Sequence, residues 1–212
     1  TSDINAWVEL LGEAAALAGA SVDKNELFTL LFRKALEGDA DCGGLLSYNY
    51  FSGEGVTDLD EGRPLFVRMP DARFTLANFM RTHLLSALAT LKIGLDILTK
   101  EERVPINGLY GHGGFFKTPQ VGQRMLSAAV AAPVSVMETA GEGGPYGMAL
   151  LAAYMLWKAE GETLPDYLDH QVFAHAKTET LMADTADIQG FAAFLERYQR
   201  GLPLEKLATE VL

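Results

Sequence analysis

Residues 105–157, PINGLYGHGGFFKTPQVGQRMLSAAVAAPVSVMETAGEGGPYGMALLAAYMLW, hold two successive units of one kind. The first is predicted as a strand over 105–110, a glycine-rich turn and a helix over 119–131. The second is predicted as a strand over 134–137, a second glycine-rich turn and a helix over 145–157. Repeated β-turn-α units imply a parallel or mixed sheet with helices packed on it, so the fold class is α/β.

Working outward, residues 3–19 read as a helix capped by Ser2 or Asp3, with Trp7, Leu10, Leu11, Ala14, Leu17 and Ala18 on one face. Gly19 ends it. A second helix over 23–37 places Leu27, Leu30, Leu31 and Ala35 at the same period and stops at Gly38, completing a helical hairpin. Over 42–51 the period changes to two, the mark of a strand. A broad glycine- and acid-rich loop leads to a short strand at 65–69, and the pair fits a sheet edge. The longest helical signal covers 75–98, where Leu76, Phe79, Met80, Leu84, Ala87, Leu88, Leu91 and Leu95 follow helical spacing. The tail predicts a short helix at 165–170, a strand at 178–182, and helices at 186–200 and 204–212. No linker-like stretch divides the chain.

In the first turn, Gly111, Gly113 and Gly114 let backbone N–H groups approach an anion, and the helix predicted to follow, with Thr118 as cap and Pro119 in its first turn, adds about half a positive charge. A phosphate fits such a loop; so does a plain tight turn between strand and helix. The second turn, Gly141 to Gly147, superficially resembles a dinucleotide fingerprint. That reading requires an acidic strand end about 20 residues on, whereas 164–170 is predicted helical, so close helix-on-strand packing by Gly147, Ala149, Ala152 and Ala153 is the expectation. No GxxxxGK[ST], HEXXH or GxSxG pattern occurs. His112 fits a solvent-facing loop position better than a phosphate ligand. His170 and His175 do not share a helix face, and Asp58, Asp60 and Glu61 read as a solvated acidic loop rather than a cation site.

The 212 residues, 49% hydrophobic and 21% charged, describe a globular chain with a sizeable core. A net charge of −11 argues against nucleic acid or an anionic membrane surface as partner. The longest apolar run, 148–157, is ten residues, against roughly 20 for a bilayer span. A single cysteine, Cys42, leaves no disulfide framework and suits a cytoplasmic location, with Cys42 itself a small buried apolar residue. The chain opens at Thr1 with neither an initiator Met nor a signal-peptide pattern, the expectation for a piece of a longer polypeptide.

These two glycine turns, in this order and spacing, resemble the C-terminal domain of the FGGY family of carbohydrate kinases, which includes xylulokinases, ribulokinases and glycerol kinases. Tyr50-Phe-Ser-Gly-Glu54 is similar to the family's sheet-edge segment ending in Gly-Glu-Arg, with Gly55 in place of the arginine. The helix carrying Leu76 through Arg81 is similar to the family's long helix with its Arg-Ala motif, Leu85 standing where the family has glutamate. The resemblance covers about residues 1–160. It implies the C-terminal lobe of an actin-like ATPase (ribonuclease H-like) fold, a mixed sheet flanked by helices, with residues 1–212 forming that single lobe and the N-terminal lobe of the same polypeptide outside this chain. It further implies transfer of the ATP γ-phosphate to a sugar hydroxyl, with a ketopentose (xylulose or ribulose) as substrate, Mg²⁺ bound mainly with the other lobe, and a cytoplasmic enzyme that forms a homodimer. Gly113 and Gly114 match the glycine pair that contacts ATP phosphates, with Gly111, Phe115 and Thr118 completing the cofactor set; Phe115 stands where a small residue is usual. Ser2 to Trp7 resembles the lobe-boundary helix start that also approaches the nucleotide. The family's catalytic aspartate lies on the N-terminal lobe, so no catalytic residue is assigned here and the chain alone is expected not to turn over. The alternative from a different class is a non-catalytic actin-like module serving oligomerisation or regulation.

Overall fold

A computed structural model describes residues 2–138, 141, 143–174 and 176–212. The helical hairpin forms as α1 (Ser2–Leu17) and α2 (Lys24–Ala35), each shorter at its C-terminus than its apolar period predicts. Asp23 caps α2, its carboxylate accepting from the N–H groups of Asn25 at 2.9 Å and Glu26 at 3.2 Å. That satisfies two N–H groups that the first helical turn leaves without partners. The inward face of α2 differs from the prediction: Leu30 is 50% exposed, and Phe32 takes the buried position beside Leu31.

Strand β1 covers Leu45–Tyr48, shorter than the predicted 42–51, because Cys42, Gly43 and Gly44 turn through positive φ and form a 3₁₀ turn. Cys42 is fully buried, and burial pushes its thiol up to about 12. Strand β2 (Leu65–Arg68) pairs antiparallel with β1, Leu45 opposite Arg68 and Tyr48 opposite Leu65. This hairpin is a two-stranded sheet of its own, not the edge of the larger one. All four β1 residues are buried, and the strand contacts both α3 (Leu76–Asp96) and α7 (Thr185–Val211). Helix α3 is the central element, capped by Thr75, whose hydroxyl oxygen accepts from the Asn78 N–H at 3.2 Å.

Among the described residues the second sheet is mixed and three-stranded, in the order β3 (Leu109–Tyr110), β4 (Val134–Met137), β5 (Thr178–Leu181). β3 runs parallel to β4, and β5 antiparallel to it. The α/β expectation holds. β3 is shorter than the predicted 105–110, and Pro105 carries no N–H for a ladder.

Three expectations need correction. Helix α4 covers Val121–Val130, so Thr118 is not its cap and Pro119 not in its first turn; Gln120, in the left-handed region, precedes the helix without a side-chain cap. Helix α5 (Gly143–Trp157) buries no residue, and Met148, Met155 and Trp157 are more than 70% exposed. The predicted close packing of Gly147, Ala149, Ala152 and Ala153 on a strand is therefore absent; a helix apolar all round has no single face that selects the sheet. Beyond it, α6 (Leu164–Tyr167) and a π-turn occupy the predicted helix at 165–170.

The third correction is α7, one continuous helix through Pro203 where two were predicted. A proline removes one intrahelical hydrogen bond, and the stretch beyond it is tied down by Glu205. This carboxylate is fully buried and accepts from the Arg63 backbone N–H at 2.6 Å. Burial pushes the Glu205 carboxyl up, opposed by the hydrogen bond from Arg63. A carboxyl raised on folding binds its proton more tightly in the folded chain. Stability therefore falls as pH rises from the unfolded glutamate value near 4.3 through the higher folded value. Glu205→Gln removes that loss. The expected result is a melting temperature that gains on the unsubstituted protein between pH 4 and pH 7; a difference that does not change with pH contradicts it.

Candidate functional site

The first glycine turn starts where β3 ends. The Gly111 N–H donates to the Ser135 carbonyl at 2.8 Å, extending the parallel pairing by one bond. A Cβ on Gly111 would stand 2.4 Å from Phe116 Cε1, so glycine is needed there to seat the phenylalanine ring. Gly113, at φ +100°, is in a conformation other residues rarely adopt. From it the chain enters a 3₁₀ turn, Gly114–Phe116, in which the Phe116 N–H donates to the Gly113 carbonyl and that of Lys117 to the Gly114 carbonyl. Among the described residues nothing engages the N–H groups of Gly114 or Phe115. A Cβ on Gly114 would meet nothing within 4 Å. The open N–H groups thus lie on this turn, while the first residues of α4, Val121 to Gln123, are buried.

Across from the turn lies the helical hairpin, and between them is a cavity of about 580 Å³. Its walls are aromatic: Phe28 and Phe32 stand edge-to-face with centroids 6.0 Å apart, and Phe115 packs edge-to-face on Phe32 at 6.2 Å. Asn5 of α1 and Asn25 of α2 bring exposed side-chain amides to the lining, Thr118 lies buried at the base, and Gly114 and Lys117 close the side toward the glycine turn. A cavity lined by aromatic rings, amide-bearing side chains and a glycine turn suits a heteroaromatic ring joined to an anion.

A second cavity of about 460 Å³ lies beyond Lys117, lined also by Glu138, Gly141 and Lys177. The Lys117 stem runs over Gly141, and His112, exposed, packs against Gly143. The two glycine turns therefore face one another, which their spacing did not disclose.

Of the residues singled out in the sequence, Gly114, Phe115 and Thr118 share one cavity wall; Gly113 sets the turn's path, and Gly111 lies beneath Phe116, away from that wall. The resemblance pointed to the Ser2 to Trp7 segment, which brings Ile4 and Asn5 to the cavity, but sequence reasoning did not single out Asn25, Phe28 or Phe32. The aromatic i, i+4 pair Phe28/Phe32 was a detectable signal, but it is also how an ordinary core face reads. Asp58 is exposed and 3.5 Å from Lys206, and Glu61 pairs with Arg63 at 3.0 Å. Among the described residues no cluster of three or more His, Cys, Asp or Glu could hold a metal ion. His175 and Glu142 lie outside the described residues, as do Thr1, Thr139 and Ala140. Among the described residues, no helix is long and apolar enough to cross a membrane.

Residues 1–156 match the FGGY family of carbohydrate kinases, C-terminal domain, and the chain belongs to that family. Xylulose kinase from Rhodospirillum rubrum superposes with a TM-score of 0.66 at 18% identity, covering 96% of this chain and 38% of that one. The ligand-bound xylulose kinase from Lactobacillus acidophilus gives 0.67 at 15% identity, covering 96% and 39%. Gluconate kinase from Lactobacillus acidophilus gives 0.62 at 15% identity, covering 85% and 34%. The fold is the actin-like ATPase fold of these kinases' C-terminal lobes. The chain spans about two fifths of the length of the xylulose kinases it resembles. No curated protein sequence matches it.

Proposed function

We propose that this chain is the nucleotide-binding C-terminal lobe of a cytoplasmic kinase that transfers the γ-phosphoryl group of ATP to a hydroxyl of a small sugar, a ketopentose such as xylulose or ribulose. The observation that carries the reading is the aromatic cavity opening onto Gly114. The adenine ring would lie between Phe28 and Phe115, with the Asn5 and Asn25 amides within reach of its polar edge. The polyphosphate would pass over Gly113 and Gly114, with the Lys117 ammonium beside it. Bound ATP would supply the transferable phosphoryl group. This chain's part is to bind and orient it, since phosphoryl transfer relies on positioning and charge stabilisation. The N-terminal lobe of the same polypeptide would supply the base that takes the sugar hydroxyl proton, most of the sugar contacts and the Mg²⁺ ligands. The described residues of this chain offer no metal cluster, so no metal step is assigned to them.

Phe28→Ala tests the reading in the polypeptide that carries this chain. Aromatic–base stacking contributes about 1–3 kcal/mol, so the Km for ATP should rise on the order of tenfold while the sugar Km stays constant. An unchanged ATP Km removes the adenine assignment. The substrate class is read from kcat/KM across xylulose, ribulose, gluconate and glycerol; a preference for either of the last two overturns the ketopentose assignment.

A further inference from the structure

We propose that Asp3 and His83 form a buried positioning couple that sets the orientation of the α1 wall of the cavity, and hence the affinity for nucleotide. The proposal rests on the nucleotide reading above. His83, on α3, is fully buried and caged by three aromatic rings: Phe79 at 4.5 Å, Trp7 at 5.3 Å and Phe66, stacked, at 5.8 Å. Asp3 Oδ2 lies 3.1 Å from His83 Nδ1, and Ser47 Oγ is 3.3 Å from the same nitrogen. Of the two contacts only the one with Ser47 is a hydrogen bond; Asp3 Oδ2 abuts the imidazole without a hydrogen-bond partner among the described residues. His83 Nε2 is buried without a hydrogen-bond partner among the described residues.

A buried polar pair is weak evidence for stability, because apolar side chains of similar volume fill such a site at least as well. Its position says more. Asp3, Ile4 and Asn5 follow one another in the first turn of α1, and both Ile4 and Asn5 line the cavity. At 3.6 residues per turn, neighbouring residues of a helix point about 100° apart. Fixing Asp3 against α3 therefore directs Ile4 and Asn5 round toward α2 and the glycine turn. Trp7, one turn further along, packs on the same imidazole. The first two turns of α1 are thus held at two points on one face, and the cavity wall is the adjacent face.

The test uses the full polypeptide carrying this chain, with ATP and sugar Km, kcat and melting temperature measured together. Asp3→Ala, which removes the side chain that α1 lays against the imidazole, is expected to raise the ATP Km about tenfold, within the range that a displaced positioning group costs, with kcat and sugar Km unchanged. Asp3→Asn, which keeps the shape and reach of the side chain against the imidazole, should return the ATP Km to within about twofold. In the double variant Asp3→Ala/Asn5→Ala the two losses should not add, because both act through one wall. Should Asp3→Ala not accumulate as folded protein, Asp3→Ser, too short to bridge to Nδ1, is read the same way. A lowered melting temperature with an unchanged ATP Km overturns the proposal, as does failure of Asp3→Asn to rescue. If Phe28→Ala raises the ATP Km and Asp3→Ala does not, the positioning role alone falls. If neither does, the nucleotide reading falls with it.

Discussion

Replacing Asp187 with alanine is expected to destabilise the fold by about 3–5 kcal/mol, the cost of stranding a buried charge. Asp187 lies in the first turn of α7 and is 4% exposed; its Oδ1 accepts from Arg81 of α3 at 2.5 Å, and its Oδ2 from Arg124 of α4. Arg81 is 1% exposed, its Nε has no partner among the described residues, and its other hydrogen bond, to the Gly38 carbonyl, is long at 3.5 Å. One carboxylate thus neutralises the cation at the meeting point of three helices. For a chain of this size the loss lowers the melting temperature by roughly 10 °C, readable by calorimetry.

The pH dependence has a definite sign. Burial alone would raise the Asp187 carboxyl, but hydrogen bonds from Arg124 and Arg81 outweigh it and hold the group below the usual aspartate range. Its contribution is therefore present above the unfolded value near 3.9 and is lost as pH falls through the lower folded value. The gap between the unsubstituted and Asp187→Ala proteins should be full at pH 7 and shrink below about pH 4. A loss under 1 kcal/mol at pH 7 would show that water or another anion replaces the carboxylate.

The largest functional effect is expected from Gly114→Glu. A Cβ at Gly114 meets nothing within 4 Å, and its φ is not positive, so the substitution leaves the turn intact. The new carboxylate would point into the space proposed for the ATP phosphates. Like charges brought together cost several kcal/mol, so kcat/KM for ATP in the full polypeptide should fall at least about a hundredfold. Gly114→Ala should leave activity near the original, separating charge from bulk. Gly113 cannot serve this purpose, since at φ +100° any side chain also strains the fold. Normal ATP use by Gly114→Glu would remove the ATP phosphates from this turn.

How far the chain could be read without its structure varies by element. Helix α3 and strand β4 were legible because their signals are local: an apolar period sustained over 21 residues from a capping threonine, and four residues between turn formers. The start of α4 was misplaced because Thr118-Pro119 is a good local helix start, yet Phe115 and Phe116 find their ring partners only by drawing this segment into a 3₁₀ turn. α7 ran through Pro203 because a buried carboxylate bond to Arg63, 142 residues away, outweighs one missing N–H.

The sequence by itself determined the fold class and the glycine turn, which rest on residue types at short fixed spacing, and it pointed to the family through resemblance. Only the tertiary structure decided that Asn5, Asn25, Phe28 and Phe32 face Gly114 across one cavity, that the two glycine turns face each other, and that His83 meets Asp3. Each of these joins residues far apart in the chain, and the periodicity of one helix reports which face is apolar without reporting what packs against it.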